Sequence, residues 1–334
     1  MEFTIYSEFS DDLKADWNRL LATSTPHVPF LRYEYLKAWW QHRGGGEWPQ
    51  DAQLALIIAH EGGQMTGIAP CFTAVHQGSR RLLLLGSIEI SDYLDVISRD
   101  EDRPRFIQGL FEFVSTCPSA LGAVQVLDFY NILEDSPSIP AFRAFAGAEI
   151  ETLQHSPYIR LPGDWEAYLS AIDKKQRHEI RRKMRRAAEA EVPAELYFTT
   201  DAANLEADMQ TFLGLMAQDE EKAQFLTPDM REQMKEIMRV AFTGGVLQLA
   251  FLKVGDEFAA AYLNADYLNR IWVYNSGLDR RFMEYSPGWV LLGHLLQWAN
   301  EHQRDELDFM RGDEEYKYRF GAVDRHVMRA TIKV

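Results

Sequence analysis

Between Asp308 and Arg319 the chain reads DFMRGDEEYKYR, which gathers carboxylate, phenol and cationic side chains at one strand end and the turn after it. Strand alternation puts Asp308 and Met310 on one face and Leu307, Phe309 and Arg311 on the other. Gly312 permits a tight exit, after which Asp313, Glu315, Tyr316, Lys317 and Arg319 crowd into one turn or short helix. A carboxylate here can take a proton from an attacking amine, and a tyrosine can protonate a leaving thiolate or ester oxygen. A Lys or Arg can steady an oxyanion. The same residues also suit a salt-bridged surface turn.

Two further groups carry charge. Residues 174–186, KKQRHEIRRKMRR, hold eight Lys or Arg and one Glu, a local charge of +7 that leaves −22 for the remainder. On a helix, Lys174, Arg177, Arg181 and Arg185 form one stripe beside His178, and Lys175, Arg182 and Arg186 form a second. Leu169, Ile180, Met184 and Ala187 supply a narrow apolar wedge. Cations so crowded repel one another. Their anionic company is either the acidic background of the protein or a phosphate-bearing ligand: a nucleotide-linked sugar, a lipid-linked precursor or tRNA. The inner leaflet of a membrane fits as well. The third group is Ser286-Pro287-Gly288, a helix start preceded by Arg280 and Arg281. Its N–H groups and dipole suit an anion, although Pro287 contributes no N–H and an ordinary capped helix reads the same.

Bulk properties exclude several classes. The 334 residues are 46% hydrophobic and 12% aromatic, enough for two packed domains and far from a disordered composition. A net charge of −15 argues against binding nucleic acid over the whole surface. Only Cys71 and Cys117 occur, read as small buried side chains in a reducing cytosol. The acidic start MEFTIYSEFSDDL shows no secretory signal, and the runs ALIIA and LLLLG are too brief to cross a bilayer. The nine His show no paired metal spacing, so no metal site is expected. Walker, Rossmann and nucleophile-elbow patterns are absent.

The elements that must position these groups read most clearly in the C-terminal half. A strand at 195–199 is followed by a helix at 204–218 and by a second helix opened by Thr227 as cap with Pro228 at its first position. Strands at 246–253, 258–265 and 270–275 are joined by the hairpin signals Gly255-Asp256 and Leu268-Asn269. The Ser286-Pro287 helix, a strand at 306–310, the polar segment 313–320 and a last strand at 327–333 complete that half. The N-terminal half repeats this order loosely, and its Leu127-Asp128-Phe129 repeats Leu307-Asp308-Phe309. This is read as a decayed duplication. The junction falls near residue 160, beside the Pro-rich stretch 135–140 and the segment 156–162. The expected organisation is α+β, with halves 1–160 and 161–334, the second preceded by a basic helix at 165–190.

YNSGLD at 274–279, EYSPGWVLL at 284–292 and LDFMRGDEEYKYRFGA at 307–322 resemble the FemAB-like branch of the GNAT superfamily, closest to its CelD-like acyltransferases. The resemblance implies a duplicated GNAT-like fold, each half a mixed, mostly antiparallel sheet flanked by helices. It implies transfer of an acyl or aminoacyl group to an amine or hydroxyl, with a cell-envelope or polysaccharide precursor as the expected acceptor; cysteine usage and the basic helix set the expected location in the cytoplasm or at the edge of the inner membrane. It implies acyl-CoA as co-substrate, its pyrophosphate near Arg280, Arg281, Ser286 and Gly288, although the usual glycine-rich pyrophosphate loop is absent. Tyr274 and Asn275 then lie beside the parted strands where acyl donors bind, and Lys317 or Arg319 matches a basic residue that stabilises the transition state. Lys174, Arg177, Arg181, Arg185, Asn275 and Glu315 are left to contact substrate. Two rival readings keep the fold. One takes aminoacyl-tRNA as donor; the other is a non-catalytic assembly factor that docks anionic partners through 174–186.

Overall fold

The computed structural model describes residues 1–76, 78–116 and 121–334. The chain forms two compact units, Met1–His155 with Arg325–Val334, and Ser156–Asp324. The first contains β1 (Glu2–Tyr6), α1 (Lys14–Ala22), α2 (Tyr33–Arg43), β2 (Gln53–Glu61), β3 (Gln64–His76), β4 (Ser79–Leu84) and β5 (Ile97–Ser98). It continues with α3 (Arg103–Thr116), β6 (Val126–Leu133), α4 (Ser138–Arg143) and β7 (Glu149–His155). The second contains β8 (Tyr158–Arg160), α5 (Trp165–Ala171), α6 (Lys174–Ala188), β9 (Ala194–Phe198), α7 (Ala202–Met216), α8 (Glu220–Phe225) and α9 (Pro228–Thr243). Then come β10 (Leu247–Val254), β11 (Glu257–Tyr267), β12 (Arg270–Leu278), α10 (Pro287–Glu301), β13 (Glu306–Asp308) and α11 (Glu315–Arg319), before β14 (His326–Lys333) closes the chain.

Local chemistry explains the second unit's elements. Asp201 caps α7 by accepting from Ala203 N–H, and Thr227 caps α9 by accepting from Met230 N–H, with Pro228 at the first position. Leu268 and Asn269 take φ of 48° and 62°, the two left-handed residues of a type I′ hairpin between β11 and β12. Met209, Phe212, Leu213, Met216, Met234 and Met238 are buried on these helices, giving the helical spacing its physical basis.

Both sheets have one design. The first runs β1-β2-β3-β4-β6-β14-β7 with β5 on β3, and the second runs β9-β10-β11-β12-β13-β8. Each contains a single parallel contact, β4 with β6 and β12 with β13. The repeated triplets occupy matching places: the parallel register ends at Leu83↔Asp128 in one and at Trp272↔Asp308 in the other. This register supports the duplication that three shared residues suggested. The aspartates have different surroundings. Asp128 is fully buried between Arg81 (2.5 Å) and Arg329 (2.7 Å), whereas buried Asp308 accepts from Met310 N–H at 2.6 Å.

Three expectations are corrected. The last strand does not complete the second sheet; β14 pairs with β6 and β7 in the first, and the corresponding place beside β13 is taken by β8. Sequence order hides this exchange, because each strand is short and amphipathic enough for either sheet. The Pro-rich stretch, set beside the junction by the sequence, lies inside the first unit: Ser138, Ile139 and Phe142 are buried in α4, with Phe142 set edge-on to Phe129. The basic helix 165–190 is two helices, broken at Ile172-Asp173, where Asp173 accepts from Lys175 and Gln176 N–H and starts α6 afresh. Cys71 is fully buried and burial pushes its thiol up, while Cys117 lies outside the described residues.

Candidate active site

β12 and β13 pair only from Arg270↔Glu306 to Trp272↔Asp308, yet β12 continues to Leu278. Two features part them. On β12, Asn275 pairs with Leu263 and Val273 with Asn264, so Tyr274 is an extra, bulged residue. On the other side Met310 and Gly312 take φ of 55° and 107°, turning the chain away after Asp308. The exposed edge of β12 is capped by side chains: Ser276 N–H donates to Asn275 Oδ1 (2.8 Å) and Ser276 O accepts from Lys222 Nζ (2.7 Å). Beyond Trp272↔Asp308 the two parallel strands are parted, which leaves an opening between them.

Those faces differ. Ala250, Leu252, Tyr262 and Val273 share a core with α10 and α6, while alternation turns Leu249 and Phe251 to the opposite side. Gly277 faces α7 so closely that a Cβ there would lie 2.3 Å from Met216 N and 2.4 Å from Leu215 C. On the α7 side a cavity of about 220 Å³ is lined by Lys222, Asp219, Gln218, Arg280 and the Ser276–Leu278 edge. On the α10 side Tyr316 and Tyr262 share a hydrogen bond, and burial pushes both hydroxyls above the ordinary phenol range. Glu314 links the two sides. Its Oε2 lies 2.8 Å from Lys317 Nζ, and its charge acts on Lys222, Tyr262 and Tyr316.

The residues singled out in the terminal motif separate into wall and surface. Lys317 is 3% exposed, and its ammonium donates to the carbonyls of Phe309 (3.3 Å), Arg311 (3.1 Å) and Gly312 (2.9 Å) besides meeting Glu314. Four acceptors for three hydrogens leave none for a ligand, so Lys317 fixes the turn that holds the strands apart. Arg319 and Glu315 pair with each other at the surface (2.6 Å), four residues apart on α11, and Asp313 is exposed. Asp308 shapes the strand exit. Tyr274, Asn275 and Tyr316 lie on the elements that border the opening. Asp266, a weaker base candidate, sits at the other end of β11 and is held bidentately by Arg304.

The helix start is less open to phosphate than its arginines suggested. Arg281 is committed to Asp279 (2.8 Å) and Glu257 (2.6 Å), which raise its pKa. Ser286 stands at the cap of α10 in the left-handed region, its side chain making no cap bond. Arg280 is exposed with no recorded partner among the described residues, and Gly288 has room beside Leu278. Ser286 and Gly288, with the α10 N–H groups after Pro287, could hold part of a pyrophosphate, while Arg280 lines the cavity on the α7 side.

On α6 the apolar wedge is real: Ile180 and Ala187 are buried, and Met184 packs on Gly293 of α10. Its cations divide. Arg181 pairs with Glu166, Arg182 and Lys183 with Glu179, and Arg177 donates to the Leu169 and Ser170 carbonyls. Lys174, Lys175, Arg185 and Arg186 are exposed with no recorded partner among the described residues.

Glu314, Lys222 and Tyr262 escaped sequence reasoning. Glu314 was legible as the middle acid of the DEE run, whereas Lys222 and Tyr262 come from elements whose approach only the fold reveals. Among the described residues no cluster of His, Cys, Asp or Glu could hold a metal, and no helix is long and apolar enough to cross a membrane.

Residues 174–318 match the family described as an acetyltransferase (GNAT) domain. No curated protein sequence matches the chain. Among solved structures, FemX superposes with a TM-score of 0.70 at 9% identity, covering 99% of this chain and 97% of that one. A protein of unknown function from Bacteroides thetaiotaomicron gives 0.63 at 12%, covering 98% and 99%. The C-terminal domain (DUF2156) of a protein assigned as a lysylphosphatidylglycerol synthetase from Agrobacterium fabrum gives 0.55 at 12%, covering 89% and 86%. Residues 174–318, inside the second unit, are thus similar to a GNAT domain, and the chain as a whole has a fold similar to that of FemX.

Proposed function

We propose that the second unit transfers an acyl group from acyl-CoA to an amine or sugar hydroxyl by direct attack, with no covalent enzyme intermediate. The observation that carries this reading is the parting of β12 from β13 at Trp272/Asp308, with Glu314 on one side and the Tyr262–Tyr316 pair on the other. The donor lies on the α10 face, its pyrophosphate near Ser286, Gly288 and the N–H groups that open α10. The acceptor enters from the α7 face. Glu314 takes the proton of the attacking nitrogen or oxygen, and Tyr316, which keeps its proton at neutral pH, returns one to the leaving thiolate. Asn275 and Tyr274 position the acyl group, while Lys317 and Asp308 hold the wall. The acceptor class is a small molecule, glycan or peptide, in keeping with CelD-like proteins of the cell envelope.

A thiol-release assay with acetyl-CoA and a panel of amines and amino sugars tests it. Glu314→Gln should lower kcat at least about a hundredfold with little change in folding. Equal turnover in that variant sinks the assignment.

A second reading has its own support. The committed Arg281, the missing N–H of Pro287 and the four unpaired cations of α6 suit aminoacyl-tRNA as donor better than coenzyme A. A gel shift with charged tRNA that survives Arg185→Glu with Arg186→Glu would count against it. Specific binding without any turnover would favour a non-catalytic assembly role.

A further inference from the structure

Lys222 carries a partly satisfied cation in the cavity on the α7 side. Its ammonium is half-buried, yet it has one hydrogen bond, to Ser276 O at 2.7 Å, and no ion pair recorded among the described residues. Two of its three hydrogens therefore lack a protein acceptor. They belong to the cavity of about 220 Å³ between α7, α8 and the far end of β12, where Arg280 is the second cation. The carboxylates in reach are Asp219, whose Oδ1 already accepts from Lys222 N–H (3.1 Å), and Glu314, which is 2.8 Å from Lys317. Burial lowers the Lys222 pKa against the pull of both. Gly277, in the cavity wall, lets this end of β12 approach α7 closely, since a Cβ there would lie 2.3 Å from Met216 N.

We infer that this cavity binds a carboxylate or phosphate on the acceptor, gripped by Lys222 and Arg280, so that the acceptor is an amine or hydroxyl compound with an anionic end. This rests on the acyl-transfer reading for the word acceptor; the anion site itself does not. The residue recognises substrate at a distance from the bond that changes. The Ser276–Leu278 wall of the cavity continues the same strand as Tyr274 and Asn275 at the opening.

The test is calorimetric titration of the full chain, without any acyl donor, with inorganic phosphate and separately with succinate. One saturable site is expected for at least one of them, and the stronger anion tells phosphate from carboxylate. Lys222→Met should weaken it about tenfold or more, as loss of a charge-assisted contact does. Lys222→Arg should hold it within about threefold, and Arg280→Ala should weaken it measurably. Arg185→Glu with Arg186→Glu should leave it unchanged. Equal affinity in Lys222→Met and the parent, absence of saturable binding by either anion, or loss of binding only in the α6 variant would each overturn the inference. Because no donor is present, failure here leaves the acyl-transfer reading standing. Failure of acyl-CoA to bind would likewise leave the anion titration readable.

Discussion

Replacing Lys317 by Met separates a wall residue from a reacting one. Methionine keeps most of the stem volume and removes the ammonium, stranding the carbonyls of Phe309, Arg311 and Gly312. Each bond from a charged donor is worth about 1.5–3 kcal/mol net. The Arg311 and Gly312 residues are half-buried and their carbonyls can recover water, so most of the loss falls on the buried Phe309 carbonyl. The ion pair with Glu314 counts for little because that side chain is 59% exposed. The expected loss is therefore about 3 kcal/mol. In a unit the size of Ser156–Asp324, each kcal/mol moves Tm by about 2–4 °C, so a fall of about 9 °C is expected by calorimetry. Arg319→Ala, at the surface, should stay within about 0.5 kcal/mol of the parent. A Lys317→Met protein with unchanged Tm and lost turnover would refute the reasoning, because the ammonium would then act on the reacting atoms.

Other outcomes follow from the same contacts. Gly277→Ala should destabilise by about 3 kcal/mol in denaturant melts, since its Cβ would meet the α7 backbone at 2.3 Å; a near-neutral change would show that α7 can move away. Asp128→Ala should cost about 3–5 kcal/mol by leaving Arg81 and Arg329 without their shared buried partner, and a loss below about 1 kcal/mol would contradict that. Tyr168, Tyr262 and Tyr316 are pushed up from the ordinary value of 10.0, first of all by burial. A folded pKa above the unfolded one means the contribution is whole below pH 10 and is lost as pH rises beyond it. Unfolding free energy should therefore fall above pH 10, and a flat profile to the limit of measurement would count against buried, protonated phenols.

Much of this was legible because local rules and tertiary packing agree in the second unit. The Thr227-Pro228 cap, the Leu268-Asn269 hairpin and the methionine-rich helix faces announce their elements directly. The matching Leu-Asp-Phe triplets were a weak signal until the register gave them equivalent places beside the parallel strand. The exchange of β8 and β14 was hidden, since period-two alternation names a strand's faces and never its neighbours. The elements that form the proposed site were legible in the sequence, the contacts of their side chains less so. Residue type suggested a free cation at Lys317, but burial under three carbonyls decides what it does. Arg281 looked available to phosphate until Asp279 and Glu257 were seen around it. Lys222 and Tyr262 carry no motif; only the fold of α8 and the pairing of β11 with β12 bring them to the opening.

Thermal unfolding of the whole protein against coenzyme A, acetyl-CoA and longer acyl-CoAs bears most directly on the claim that the second unit binds an acyl donor. At a hundred times its dissociation constant a ligand adds about 2.7 kcal/mol, enough for a shift of several degrees. A shift that grows with one acyl chain is the predicted result. No shift with any of them at millimolar concentration would contradict the account.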